Sequence, residues 1–183
     1  TIDGKGHTID AQGKSRIFYI KSASVTLKNI NFINGRMSGL YGGSVAGYYG
    51  DVTVINSTFT NTTAEGGGAI YCHGGGSIVI NSSFTNTSAI SDGGGAIYID
   101  SVDATVIDSK FNGCRADSGS DIWSDSAVTL MGNDYDGKST YNSTDIVAGS
   151  IIDLDGTFAE VQYRINITPV NGVLYLPNKK YTA

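Results

Sequence analysis

Residues 66–86 read GGGAIYCHGGGSIVINSSFTN, and residues 93–113 read GGGAIYIDSVDATVIDSKFNG. A glycine triplet, an apolar run, a polar corner and a phenylalanine recur in the same order, and self-similarity of this kind is the mark of a repeat fold. Working outward from these two blocks, one ladder runs Phe32, Phe59, Phe84, Phe111, Tyr135 and another runs Phe18, Val45, Ile70, Ile97, Ile122, Ile146, both with spacings of 24 to 27 residues. The second ladder leads the first by 14 residues in four units and by 13 in the last. Two separate marks therefore hold one register along most of the chain.

A unit of this length, built of short alternating runs with Gly and Asn between them, describes one coil of a parallel β-helix. Leucine-rich repeats would show a Leu consensus, which is absent, and propeller blades need about 40 residues. The expected fold is all-β: a right-handed, single-stranded parallel β-helix of about six to seven coils, its hand taken from the rule for parallel crossovers. Residues 1–158 form this repeat domain. In residues 159–183 the repeat fades; VQYRINI alternates, and Asn171-Gly172 before VLYLP signals a hairpin, so this part is expected to be a C-terminal strand or hairpin that caps the open end or starts another module.

Stacked strands lie about 4.8 Å apart, so each repeat position becomes a column along the axis. Alternation puts Gly68, Ile70 and Cys72, and likewise Gly95, Ile97 and Ile99, on the core face. The next run gives a core column of Leu27, Val54, Val79, Val106, Leu130 beside Val25, Val52, Ser77, Ala104, Val128. Asn29, Asn56, Asn81, Asp108 and Asn34, Asn61, Asn86 recur at the corners, where asparagine tolerates positive φ and bonds to its neighbours, so both columns read as structural amide ladders. With 25 Gly and 2 Pro in 183 residues, and no segment of convincing helical period, turns and strands are expected throughout.

Lys and Arg number 12 against 17 Asp and Glu, giving a net charge of −5 without a basic run, which removes the electrostatic basis for nucleic-acid binding. No apolar run approaches the roughly 20 residues of a spanning helix, so no membrane insertion is expected of this segment. TIDGKGHTID lacks the regions of a signal peptide. Because Thr1 falls directly into patterned sequence, the chain reads as a piece of a longer protein whose neighbouring domains are partners.

The pairing of GGAIY (67–71 and 94–98) with FTNTTA (59–64) and FTNTSA (84–89) resembles the adhesin-like right-handed β-helix proteins of methanogenic archaea, and TIDGKGHTIDAQGKSRIFYI is similar to the way their helical regions begin. The resemblance covers residues 1–158. It implies an extracellular, cell-surface location and a role in attachment, with a glycan or a surface protein of another cell as partner. The chain also resembles, less closely, the GGAI and FxxN repeats of chlamydial polymorphic membrane proteins; here Asn stands two places after Phe rather than three.

Candidate sites follow from the outward columns. Tyr19, Ala46, Tyr71, Tyr98, Trp123, Val147 place large rings one coil apart, either as a binding face in which Tyr19, Tyr71, Tyr98 and Trp123 take a glycan or protein, or as a ladder that stiffens the sheet. Lys21, Tyr48, His73, Asp100, Asp125 run beside it. Asp100 and Asp125, one coil apart, would stand near the separation of about 5 to 5.5 Å used by retaining glycoside hydrolases, which gives the alternative function, a carbohydrate-cleaving enzyme. Stacking also brings solvated acids that close, and coils of this length leave no long loops to wall a cleft; catalysis is not expected. Ile55, Ile80, Ile107 and Met131 should face outward as a packing surface, unless the alternation slips at that corner.

Sequons occur at Asn56, Asn61, Asn81, Asn86, Asn142 and Asn166; Asn142 and Asn166 are the glycosylation candidates because the others belong to the ladders. Cys72 and Cys114 differ in repeat phase, so no bridge is expected. With no C-x-x-C, only His7 and His73, and no EF-hand spacing in GNDYDGKST at Gly132, neither metal nor cofactor is expected.

Overall fold

Each strand lies parallel to its copy one coil away. Val45 pairs with Ile70, Ile70 with Ile97, Ile97 with Ile122 and Ile122 with Ile146, in unbroken register. The computed structural model describes residues 1–167, 176 and 180–182. Among them, strands Phe18–Lys21, Val45–Tyr48, Ile70–His73, Ile97–Asp100, Ile122–Ser124 and Ile146–Val147 form one six-stranded sheet. An 11-stranded sheet wraps the rest of the coil, its two runs joined through the long strand Val25–Ile33, and a two-stranded sheet pairs Thr63–Ala64 with Ser88–Ala89. The chain is a parallel β-solenoid.

The core follows the columns. Leu27, Val54, Val79, Val106 and Leu130 are buried, as are Val45, Ile70, Ile97, Ile122 and Ile146. At the next corner Phe32, Phe59, Phe84, Phe111 and Tyr135 stack with centroids 4.6 to 5.5 Å apart and ring planes within 9°. One coil of rise is about one ring spacing, so parallel stacking and parallel pairing reinforce each other.

Corners are set by polar columns. Asn29, Asn56 and Asn81 have φ of 55°, 48° and 47°, and each side-chain amide donates to the coil before it: Asn81 to Asn56, Asn56 to Asn29, Asn29 to Asp3. Asn34, with φ of 55°, donates likewise to Asp10. These amides lie on the surface. A second polar column lies inside, unread in the sequence: Ser57, Ser82 and Ser109 are buried, each hydroxyl accepting from the backbone N–H of Ile30, Ser57 and Ser82 in turn, while donating to the carbonyls of Ile55, Ile80 and Ile107.

Glycine triplets serve three needs at once. At Gly94, φ is 67°. A Cβ on Gly95 would strike the Arg115 backbone N and O at 2.6 Å, and one on Gly93 would meet Trp123 Cγ at 2.5 Å. The triplet thus turns the chain, lets coils approach and leaves room for a ring.

The tail corrects one expectation. VQYRINI is not a strand: Phe158–Ile167 form a helix, α1. Thr157 caps it, its Oγ1 accepting from Glu160 N at 3.2 Å, and Glu160 accepts from Gly156 N at 2.9 Å, a reciprocal arrangement close to a capping box. The hairpin signal at Asn171-Gly172 and VLYLP lies outside the described residues save Leu176. Rather than covering the open end, α1 lies on the outer side of the 11-stranded sheet, where Tyr163 bonds to Thr105 at 3.0 Å and Arg164 to Asp108. This contact explains the outward apolar column. Ile55 and Ile80 are half-buried, whereas Ile107 and Met131, in the coils beside α1, are fully buried outside the main core cluster.

Candidate functional site: an aromatic and acidic sheet face

On the six-stranded sheet, alternation turns Tyr19, Ala46, Tyr71, Tyr98, Trp123 and Val147 away from the core, in register. Tyr98 stacks on Trp123 with centroids 4.3 Å apart, and Tyr71 lies 5.6 Å from Tyr98. The gap at Ala46 is bridged by Tyr48, 5.5 Å from Tyr19 and 5.3 Å from Tyr71. The rings form one stripe from Tyr19 to Trp123.

Tyr71 departs from expectation: it keeps only 5% of its exposure. Tyr41 is the reason. It stacks on Tyr71 at 4.8 Å and reaches Tyr98 at 5.4 Å, occupying the column in which the next two coils carry Gly66 and Gly93. A Cβ on Gly66 would lie 2.8 Å from the Tyr41 ring. The signal in the sequence was a large residue heading a column of glycines. The usable surface is therefore Tyr19, 58% exposed, with Tyr98 and Trp123, both half-buried.

Carboxylates border the stripe on both sides. Asp100 accepts from Tyr71 Oη at 3.1 Å and Ser101 Oγ at 2.9 Å, and lies 2.9 Å from His73 Nδ1. Burial opposes its ionisation, but the bonds from Ser101, His73 and Tyr71 outweigh burial and hold the carboxyl below its ordinary range. Asp92 accepts from Tyr41 Oη at 3.2 Å and from Gly93 N at 2.8 Å. Asp125 accepts from Ser101 N at 2.7 Å and Ser126 Oγ at 3.0 Å. Burial, followed by the charge of Asp92, the neighbouring Tyr41, and the charges of Asp100 and Asp125, pushes the Tyr98 hydroxyl up.

Asp100 and Asp125 are thus engaged with different partners. Pairing between their strands ends at Ile99 and Ser124, and Asp125 accepts from the backbone N–H of Ser101 in the turn that follows Asp100. A general acid needs a raised pKa; Asp100 is shifted the other way. Among the described residues no three His, Cys, Asp or Glu side chains converge as a metal site. Cys72 and Cys114 are free and buried, and burial pushes both thiols up to about 12.

The glycosylation candidates are both exposed. Asn142 heads a turn in which its Oδ1 accepts from Thr144 N and Asp145 N. Asn166 is on α1, its Oδ1 accepting from Gln162 Nε2 at 2.9 Å. On a different corner, a polar groove of about 420 Å³ is lined by Asp10, Asn34, Arg36, Asn61 and Thr63; it has no ring. No family model, curated protein or solved structure matches the chain.

Proposed function

We propose that this β-solenoid is an attachment module of an extracellular, cell-surface protein of the adhesin-like kind, and that it binds through the ring-bearing face of its six-stranded sheet rather than catalysing a reaction. The observation that carries the reading is the unbroken stripe from Tyr19 through Tyr48 and Tyr71 to Trp123, with ring centroids 4.3 to 5.6 Å apart. Stacked rings are rigid, lose little entropy on contact, and offer both an apolar face and a polar edge. Repetition multiplies weak contacts, which suits adhesion to an extended partner such as a glycan or a surface protein. The depressed carboxyl of Asp100 does not suit the general acid that the polysaccharide-cleaving alternative requires.

Binding of the purified chain to a glycan array and to immobilised cell-surface proteins tests the reading, followed by a product assay on every hit. Retention lost in Trp123→Ala and Tyr98→Ala proteins that still unfold cooperatively is the expected result. Turnover of a bound glycan that disappears in Asp100→Asn would overturn it.

A further inference from the structure

We infer that the ligand of this face is cationic: a basic polypeptide segment whose Arg or Lys side chains lie over the Tyr98–Trp123 end of the stripe. The inference rests on the attachment reading and adds the chemistry of the partner. Its first support lies within the chain itself. At the opposite end of the stripe, the Arg16 guanidinium carbon stands 5.4 Å from the centroid of the Tyr19 ring, within the distance at which a ring face attracts a cation. One ring of the series thus already carries the group we assign to the partner.

The second support is the placement of charge. Two columns flank the rings. On one side run Glu65, Asp92 and Asp117, in the column that begins at Leu40, tied together by bonds from Glu65 N to Leu40 O and from Asp92 N to Glu65 O and by pairing of Gly93 with Ser118. On the other side run His73, Asp100 and Asp125. Among the described residues no Lys or Arg is ion-paired with any of these acids; the His73 imidazole beside Asp100 is their nearest basic side chain. Arg16 and Lys21 lie at the Tyr19 end, so the stripe is basic at one end and acidic at the other.

A neutral sugar can stack on the rings and donate its hydroxyls to the carboxylates but brings no charge to balance theirs, and a polyanion is repelled by them. A guanidinium or ammonium balances the carboxylates while its flat or methylene surface lies against the outward edge of the stripe. Acids placed on successive coils favour a chain that carries several cations over a single small amine.

The test is fluorescence anisotropy with labelled octa-arginine, with maltoheptaose and octaglutamate measured in parallel. Octa-arginine is expected to bind, more weakly as salt rises, while octaglutamate does not. Trp123→Ala, which removes a ring and no charge, is expected to weaken binding on the order of tenfold. The double variant Asp92→Asn/Asp125→Asn removes two charges while keeping one acceptor oxygen at each position, and is expected to weaken it comparably. Asp136→Asn/Asp153→Asn makes the same change of net charge on other faces and is expected to leave binding intact.

Equal loss in both double variants, or no loss in Trp123→Ala, would mean attraction by overall charge and would overturn the inference. Binding of maltoheptaose that depends on Trp123, without binding of octa-arginine, would overturn it while leaving the attachment reading standing. Loss of binding to every glycan, peptide and surface protein tried would remove both.

Discussion

Arg164 grips both carboxylate oxygens of Asp108, Nη2 to Oδ1 at 2.8 Å and Nη1 to Oδ2 at 2.9 Å, across 56 residues of chain. Asp108 stands where the column of Asn29, Asn56 and Asn81 would place its next amide. A carboxylate has no hydrogen to donate, so the ladder stops at this coil and the same position becomes the seat for α1. The Arg164 Nε also donates to Glu160, which is fully buried, at 2.8 Å.

Arg164→Ala would therefore remove the guanidinium that faces both the buried Glu160 carboxylate and that of Asp108, a change that costs about 3 to 5 kcal/mol. The loss should be local. Hydrogen exchange of the amides in 158–167 is expected to quicken, while those of Ile97 and Ile99 keep their protection.

Asn81 combines a left-handed backbone with a rung of the ladder. Asn81→Ala is expected to lower stability by about 1 to 2 kcal/mol, read from the urea midpoint. Asn81→Gly should lose less, because glycine meets the backbone requirement and sacrifices only the side-chain bond.

Gly95 and Gly76 should respond oppositely to one added methyl group. A Cβ on Gly95 would press into backbone atoms of Arg115 at 2.6 Å, whereas one on Gly76 meets only the Asp51 carboxylate at 3.4 Å. Gly95→Ala is expected to cost more than about 3 kcal/mol or to prevent folding, with Gly76→Ala close to wild type in thermal unfolding.

Asp121 sits in the buried column of Ser44, Ala69 and Ala96. Burial, then the charges of Asp145 and Asp136, raises its pKa from 3.8 to about 7, against a small opposing effect of a bond with Cys114. Since the folded chain holds this proton more tightly than the unfolded one, the contribution of Asp121 to stability is fully present below pH 3.8 and is lost as the pH rises through 7. Asp121→Asn removes that dependence. The stability of the variant relative to wild type should grow from pH 4 to pH 8 by on the order of a few kcal/mol, measured by denaturant titration at each pH.

The coil columns were legible because the fold makes one residue type recur at one place: Ile70 predicts Ile97, and Phe59 predicts Phe84. Helix α1 was hidden for the opposite reason. Its buried residues are Glu160 and Arg164, so apolar periodicity carried no helical signal, and the alternation of VQYRINI pointed to a strand. The mark that remained was Thr157 three places before Glu160, a capping pattern. At the candidate site, Tyr98 and Trp123 follow from the repeat, but Tyr41 has no counterpart in later coils, and with it went the burial of Tyr71. Asp100 and Asp125 were placed by column alone; the turn at Ser101 decided where each carboxylate points.

The flat stack of Phe32, Phe59, Phe84 and Phe111 means that the upper and lower sides of a coil present nearly the same template. A gene segment encoding residues 66–92, copied in tandem, would supply a new storey whose floor and ceiling already match those of its neighbours. Lengthening such a molecule by whole storeys asks for no fresh solution of its interior, and each addition would extend its reach by about 4.8 Å.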